Sequence, residues 1–196
     1  PNVFGKLEEY GVMLCGGAIN SVFTDSQIND LDLYIRDPEQ HLGPVTAWLE
    51  THFKKEFETT NAITFSRKSN RSNKRWRVQL IKAFKGEPAH IFDCFDFTIT
   101  HGAYDFSKQQ FFFGPRFFAD LSKRKLVFSG YSKYPICAMY RTKKYVDRGY
   151  ALPGATIMHI ALCIVQLQIK NYGELKTQLM GIDTIYLQRL LGKYAE

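Results

Sequence analysis

The chain has 196 residues, a formal net charge of +7 and a pI of about 9.2. Its length fits one domain, or a compact domain with a small appendage, and its apolar content excludes a disordered protein. No apolar run is long enough to span a bilayer. The N-terminus lacks the basic start and following apolar segment of a secretory signal. We therefore expect a cytoplasmic protein without membrane association, and the basic charge favours a polyanionic partner. Because the sequence begins at Pro1 without a methionine, we expect either a processed product or a recombinant piece, and both leave room for upstream sequence.

The cysteine pattern is typical of a reduced intracellular protein. The four cysteines are far apart in the sequence, each has apolar neighbours, and none belongs to a C-x-x-C pair. Their spacing relative to the histidines is not that of a zinc site. We expect four buried, reduced thiols, at Cys15, Cys94, Cys137 and Cys163.

Hydrophobic periodicity predicts alternating helices and strands in the first half of the chain. A buried run (VMLCGG) ends at paired glycines, and a second segment (LDLYIR) alternates between apolar and polar residues up to the turn signal Asp37-Pro38. Helical spacing of apolar residues follows this turn. The expected elements are helices over 3–10, 18–23 and 38–57 and strands over 12–17, 31–36, 62–67 and 75–84.

The second half of the chain begins with short elements and then becomes helical. One or two helical turns are expected over 87–95, followed by strands over 95–100 and 109–114 and a helix over 115–125. Glycines punctuate the remainder, where we expect helices over 135–148, 155–171, 174–180 and 182–193. The order predicts an α+β fold, with a mixed sheet and flanking helices over 1–130 and an all-helical extension over 131–196 packed on it.

One segment, GGAINSVFTDSQINDLDLYI, combines features suited to binding phosphates and metal ions. The glycine pair Gly16-Gly17 allows close approach of the backbone to a triphosphate, and Ser21, one helical turn later, is placed to hydrogen-bond a phosphate oxygen. Asp30 and Asp32 are two positions apart on a predicted strand, so both side chains leave the same face. Two such carboxylates repel each other unless a cation lies between them, and magnesium prefers oxygen ligands.

The same segment carries a family resemblance. Paired glycines, a short spacer and D-h-D-h, where h is apolar, resemble the signature of the nucleotidyltransferase superfamily with a polymerase-β-like palm. Three further blocks are similar to those of class II CCA-adding enzymes and bacterial poly(A) polymerases, and they occur in the family's order. These blocks are FDFTITHGAYDF (95–106), ADLSKRKLVFSG (119–130) and PICAMYRTKKYVDRGYALP (135–153).

The resemblance implies a magnesium-dependent nucleotidyltransferase that uses two metal ions. Residues 1–130 would form the palm domain, and residues 131–196 a helical, neck-like region. The family has a third carboxylate on a strand beside the Asp-x-Asp strand, and Asp96 in F-D-F-T is the match. Asp93, three residues earlier, is the alternative, although an exposed position or a helix cap also explains it.

The sequence also departs from the family. Class II CCA-adding enzymes read the incoming base with an acidic pair and an arginine, and the corresponding residues here are Lys133, Tyr134 and Cys137. Phe95 replaces the arginine that begins the F-D-F-T block. We therefore do not expect selection of CTP followed by ATP, or templated CCA addition.

Two groups of basic residues are candidate binding surfaces. Arg141 and Lys144 lie on one face of a predicted helix after the palm, where they would bind the triphosphate or the acceptor backbone. An ordinary solvated helix face explains them as well. A second group surrounds Trp76 in a predicted hairpin and is a candidate nucleic-acid grip, for which a solvated hairpin tip is an equal alternative. Its members are Arg67, Arg71, Lys74, Arg75 and Arg77.

The predicted reaction is transfer of a nucleoside monophosphate from a nucleoside triphosphate, with ATP as the default donor, to an acceptor hydroxyl. An RNA or tRNA 3′ end is the favoured acceptor because the chain is basic. A protein hydroxyl, as in small toxin-like or phage-like nucleotidyltransferases, is an alternative. A catalytically silent palm that binds nucleotide or RNA and a plain RNA-binding module are the remaining hypotheses.

Overall fold

A computed structural model describes residues 5–69 and 75–179. It begins with a 3-10 helix, Gly5–Tyr10, and a second short 3-10 helix covers Thr98–Thr100. The strands are β1 (Val12–Cys15), β2 (Asp30–Ile35), β3 (Lys54–Glu58), β4 (Ala62–Lys68), β5 (Arg75–Ile81), β6 (Gly102–Asp105) and β7 (Gln110–Phe113). The α-helices are α1 (Gly17–Phe23), α2 (Pro38–His52), α3 (Pro88–Phe92), α4 (Phe117–Ser122), α5 (Pro135–Val146), α6 (Gly154–Gln166) and α7 (Tyr172–Gln178).

The seven strands form one mixed sheet in the order β3-β4-β5-β2-β1-β6-β7. β2 lies at its centre, antiparallel to β1 and parallel to β5. A parallel neighbour requires a crossover, and the chain makes it through α2 and the β3–β4 hairpin. The predicted α+β class, with a mixed sheet, flanking helices and C-terminal helices, is confirmed.

Helices cover the sheet and provide its core. Val45 and Leu49 of α2 pack with Leu33 and Ile35 of β2 in one buried cluster. A second cluster joins Phe97 and Phe117 to side chains of α5 and α6, among them Ala138, Tyr145 and Ile160. The C-terminal helices therefore share apolar contacts with the sheet region, while the domain boundary at residue 130 stays a prediction.

The predicted helix over 38–57 is too long. It ends at His52, and residues 54–58 instead form β3, an edge strand in which every side chain is exposed. Four of its five residues are charged and only Phe57 is apolar, so no apolar period marks this strand. It is held by pairing with β4, and its lysines and glutamates are typical of a protected sheet edge.

The predicted strand over 95–100 is wrong. Phe97 forms only an isolated bridge with Phe128, and the next three residues are a 3-10 turn. The hydroxyl of Thr98 donates to Asp120, and the hydroxyl of Thr100 donates to the carbonyl of Phe97. These side-chain hydrogen bonds favour a turn over an extended ladder. The strand that pairs with β1 on the side away from β2 is β6, which was not predicted from the sequence.

The later predictions are met in part. The strand over 109–114 and the helices near 135–148, 155–171 and 174–180 are present, although α6 ends at Gln166. The predicted helix over 182–193 lies outside the described residues. Cys15 and Cys137 are buried and Cys163 is half-buried, but Cys94 is exposed, which corrects that part of the expectation. Within residues 5–69 and 75–179, we find no helix long and apolar enough to cross a membrane.

Candidate active site

The two acidic residues predicted to bind metal lie at the start of β2. Asp30 and Asp32 occupy alternate positions of this strand, so their side chains emerge on one face. On the parallel neighbour β5, Arg77 is in register with Asp30, and Gln79 is in register with Asp32. A guanidinium nitrogen of Arg77 lies 3.5 Å from a carboxylate oxygen of Asp30. The acidic pair therefore has a cationic and a neutral side chain beside it.

Asp32 has an unusual environment. Its Oδ1 atom is buried and has no hydrogen-bond partner among the described residues. Burial, followed by the negative charge of Asp30, raises the pKa of Asp32 to about 6, against the opposing effect of Lys144 and Arg141. An unpartnered carboxylate oxygen in a partly buried site costs free energy unless a cation or donor binds there.

Basic residues of α5 face this acidic pair. Burial, then Arg148 and Arg141, lowers the pKa of Lys144, while Asp32 and Asp30 act in the opposite direction. A cavity of about 380 Å³ lies alongside and is lined by Asn29, Tyr140, Lys143, Lys144, Asp147 and Arg148. The cleft is therefore suited to an anionic ligand next to the acidic pair.

Asp96 is placed differently from the expectation. It lies between α3 and the second 3-10 helix rather than on a strand beside β2. One carboxylate oxygen accepts a hydrogen bond of 2.6 Å from Ser132, and the other accepts from Arg141 at 2.5 Å. Among the described residues, no three histidine, cysteine, aspartate or glutamate side chains are grouped closely enough to hold a metal ion. The structure thus brings Asp30 and Asp32 together and gives Asp96 other partners.

Asp93, the alternative third carboxylate, is exposed and ends α3. Its backbone N–H donates to the carbonyl oxygen of Ala89. This is the position of an ordinary helix end, which agrees with the simpler interpretation of this residue.

The glycine turn has the backbone that the motif predicts, whereas Ser21 has a different environment. Gly16 has φ of 82°, a conformation that favours glycine, and a side chain added at Gly17 would meet nothing within 4 Å. The backbone can therefore be approached closely at this turn. Ser21 is buried, and its hydroxyl donates to the carbonyl oxygen of Gln27 at 3.4 Å. That contact supports the loop that leads into β2 rather than pointing to a ligand.

The predicted nucleic-acid grip is only partly visible. Arg67, Arg75 and Arg77 are exposed on β4 and β5, whereas Arg71 and Lys74 lie outside the described residues. Arg75 makes an ion pair of 3.3 Å with Glu56. Arg77 belongs to the acidic cleft as well as to the hairpin, so the hairpin and the cleft are continuous.

The sequence analysis missed three residues of the site. Gln79 was not singled out because only the parallel register of β5 reveals that it neighbours Asp32. Ser132 was missed because its contact with Asp96 spans 36 residues of sequence. Asn29, directly before Asp30, lines the cavity. The only available signal was the polar alternation R-x-R-x-Q in β5.

The residues present fit a magnesium ion. Asp30 and Asp32 supply hard oxygen ligands from one strand face, and the unpartnered Oδ1 of Asp32 is the atom that such an ion would satisfy. Phosphate oxygens of a substrate commonly complete such a site. The neighbouring Arg141 and Lys144 bring positive charge to the same site.

The fold is similar to that of solved tRNA-processing enzymes. A tRNA nucleotidyltransferase complexed with a primer tRNA and an incoming ATP analogue matches with a TM-score of 0.60 and 11% identity, over 90% of this chain and 54% of that one. The Thermotoga maritima CCA-adding enzyme, complexed with tRNA, matches with a TM-score of 0.58 and 12% identity, over 98% and 48% of the two chains. The nucleotidyltransferase fold, similar to the head of CCA-adding enzymes, is therefore confirmed, and identities this low establish the fold alone.

The sequence itself is similar to a phage protein. The chain is 30% identical over 185 residues to "Gabija anti-defense 2" of Bacillus phage SPbetaL7, covering 94% of this chain and 45% of that protein. It thus spans about half the length of this relative. The sequence model of the family described as "Gabija anti-defense 2 family protein" matches residues 2–124, which is more than half of the 196 residues. The matched region includes Asp30, Asp32 and all of β5. The chain belongs to the Gabija anti-defense 2 family.

Proposed function

We propose that this protein is a magnesium-dependent nucleotidyltransferase that transfers a nucleoside monophosphate to an acceptor hydroxyl. The observation that carries the proposal is the pair Asp30 and Asp32, with the unpartnered Oδ1 of Asp32 facing a basic helix. A purely structural acidic pair gains nothing from such an arrangement, since repulsion and burial both disfavour its charge. A cation and the phosphates of a nucleotide satisfy both requirements together.

In this proposal each group of residues has a separate role. Asp30 and Asp32 hold the magnesium ion, which when bound neutralises phosphate charge and helps to ionise the acceptor hydroxyl. Lys144 and Arg141 bind the triphosphate oxygens and balance the charge of the departing pyrophosphate. The open turn at Gly16-Gly17 admits the phosphates close to the backbone. ATP is the default donor, and no residue is assigned to contact its base.

An RNA 3′ end, including that of tRNA, is the first candidate acceptor. The exposed hairpin arginines Arg67 and Arg75 continue to Arg77 at the edge of the acidic cleft, which is a path suited to a nucleic-acid backbone. Two solved relatives of this fold are complexes with tRNA. The net charge of +7 is consistent with such a partner.

A protein hydroxyl is the second candidate acceptor. Its support is membership of the Gabija anti-defense 2 family, since the name implies that the relatives counter a defence system. We propose that this protein also acts against Gabija defence, and modification of a defence protein would be a direct route. The mechanism at the cleft is the same for both acceptors.

The decisive experiment supplies the protein with each of four α-labelled nucleoside triphosphates and magnesium. The acceptors are total cellular RNA, the purified Gabija defence proteins and the protein itself, in separate reactions. Asp30→Ala is the test variant. Asp93→Ala is the matched control, since it removes an exposed aspartate outside the cleft.

Label that enters RNA or a protein with the wild type and with Asp93→Ala, but not with Asp30→Ala, supports the proposal and names the donor and the acceptor class. Nucleotide binding without transfer to any of these acceptors supports the silent-palm hypothesis instead. Absence of both transfer and nucleotide binding would contradict the proposed function.

A further inference from the structure

We infer that the Asp30–Asp32 pair binds one divalent cation and that Arg77 supplies the second positive charge of the cleft. This inference rests on the proposed function and refines its metal requirement. A site with two ions about 3.5–4 Å apart requires ligands for both, in practice more than two carboxylates. The position from which a third carboxylate would reach the pair is occupied here by side chains that are not acidic.

The register of β5 identifies that position. In a parallel pair, residues side by side on neighbouring strands point to the same face of the sheet. Arg77 is beside Asp30 and Gln79 is beside Asp32, so both side chains emerge next to the acidic pair. Gln79 is half-buried and carries an amide, which brings oxygen chemistry but no negative charge.

On the other side of β2, the strand β1 does not provide the missing ligand. Its residue in register with Asp32 is Cys15, which is fully buried. Its thiol packs in a buried cluster with Met13, Tyr34 and Ala103, and sulfur is a poor ligand for hard cations that prefer oxygen. The remaining candidate, Asp96, already accepts hydrogen bonds from Ser132 and Arg141.

The charges of the cleft lead to the same conclusion. Asp30 and Asp32 carry two negative charges, which one divalent cation balances. Arg77 lies 3.5 Å from Asp30, and Lys144 acts electrostatically on the same pair. A second divalent ion would enter a site that already contains these cations, and the repulsion would be strong in a partly buried cleft. The other carboxylate that lines the cavity, Asp147, is already paired with Lys143 at 2.8 Å. Arg77, at the base of the basic hairpin, instead occupies that side of the pair, where it can meet acceptor phosphate.

The test counts bound ions on the full chain without nucleotide. Mn²⁺ is a suitable probe because it accepts the same oxygen ligands as magnesium, and the EPR signal of free Mn²⁺ falls as the ion binds. Gln79→Glu restores a third carboxylate beside Asp32. Gln40→Glu is the matched control, because it makes the same change of one charge at an exposed position in the first turn of α2, beyond the other end of β2. Asp30→Ala identifies the ions that belong to the pair.

We expect one Asp30-dependent ion for the wild type and for Gln40→Glu, and two for Gln79→Glu. We also expect Arg77→Ala to bind the single ion several-fold more tightly, because a competing positive charge is removed. Two Asp30-dependent ions in the wild type would overturn the inference and leave the proposed function intact. No Asp30-dependent ion would count against both. The wild-type count decides the question even if Gln79→Glu does not fold, which thermal melting would reveal.

Discussion

Acidic residues near the two ends of β2 have pKa values shifted in opposite directions. Just beyond its C-terminal end, Arg36 donates to the fully buried Asp105 at 2.7 Å, and the other oxygen of this carboxylate accepts from Ser107 and Lys108. Burial alone would raise the pKa of Asp105, yet these hydrogen bonds bring it below its ordinary value. At the N-terminal end, burial dominates, and the pKa of Asp32 rises to about 6.

This difference separates structural from functional charge. Both carboxylate oxygens of Asp105 accept hydrogen bonds within the protein, so this residue stabilises the link between the end of β2 and β6. At the Asp30–Asp32 end, one oxygen has no hydrogen-bond partner among the described residues, and the proposed cation would satisfy it. Substitutions at one end therefore test whether the other end is affected.

The largest effect is expected for Asp32→Asn. This substitution keeps the shape of the side chain but removes a metal ligand, so nucleotidyl transfer should fall about 1,000-fold or more. The thermal midpoint should stay unchanged or rise, because repulsion from Asp30 is removed. Single-turnover transfer and thermal melting measure the two quantities, and a large loss of stability would show that the pair is structural.

The converse is expected for Asp105→Ala, which leaves Arg36 without its buried partner. Unfolding free energy should fall by about 2–3 kcal/mol, measured by chemical denaturation, while transfer per folded molecule is retained. Because the folded pKa of Asp105 is lowered, its stabilisation is present above the unfolded pKa of about 3.9 and is lost as pH falls through that value and below. The wild type should therefore lose more stability than the variant between neutral pH and pH 3. Equal losses would contradict this assignment.

A smaller effect is expected for Asp96→Asn. If Asp96 positions Arg141, as its contacts indicate, transfer should fall about 10–100-fold with Mn²⁺ binding retained. If Asp96 is the third metal ligand instead, Mn²⁺ binding would be lost together with transfer. Ser132→Ala is the milder control because it removes the other hydrogen bond to this carboxylate.

The smallest effect is expected for Arg67→Ala. Loss of one phosphate contact should weaken RNA binding by a few-fold regardless of RNA sequence and reduce the salt dependence by about one unit. Filter binding at several salt concentrations measures both. An unchanged affinity and salt slope would favour the simpler interpretation of this hairpin as a solvated surface.

Much of the fold could be predicted because its signals are local. The apolar run of β1, the alternation in β2, the glycine turn and the helical spacing after Pro38 all depend on residues close in sequence. β3 could not be predicted because its charged side chains have no apolar period, and only pairing with β4 forms it. The segment over 95–100 has the sequence pattern of a strand. Thr98 instead hydrogen-bonds to Asp120 and to the carbonyl oxygen of Val127, and these distant partners hold the segment in a turn.

The sequence by itself determined the acidic pair, because a spacing of two on a strand places both carboxylates on one face wherever that strand lies. It also determined the glycine turn and the basic face of α5. Only the tertiary structure decided what surrounds the pair: Arg77 and Gln79 come from a strand more than 40 residues later, and Arg141 is held through Asp96. The physical reason is that neighbours across a sheet are set by register and crossover, which depend on the packing of the whole chain rather than on any local pattern.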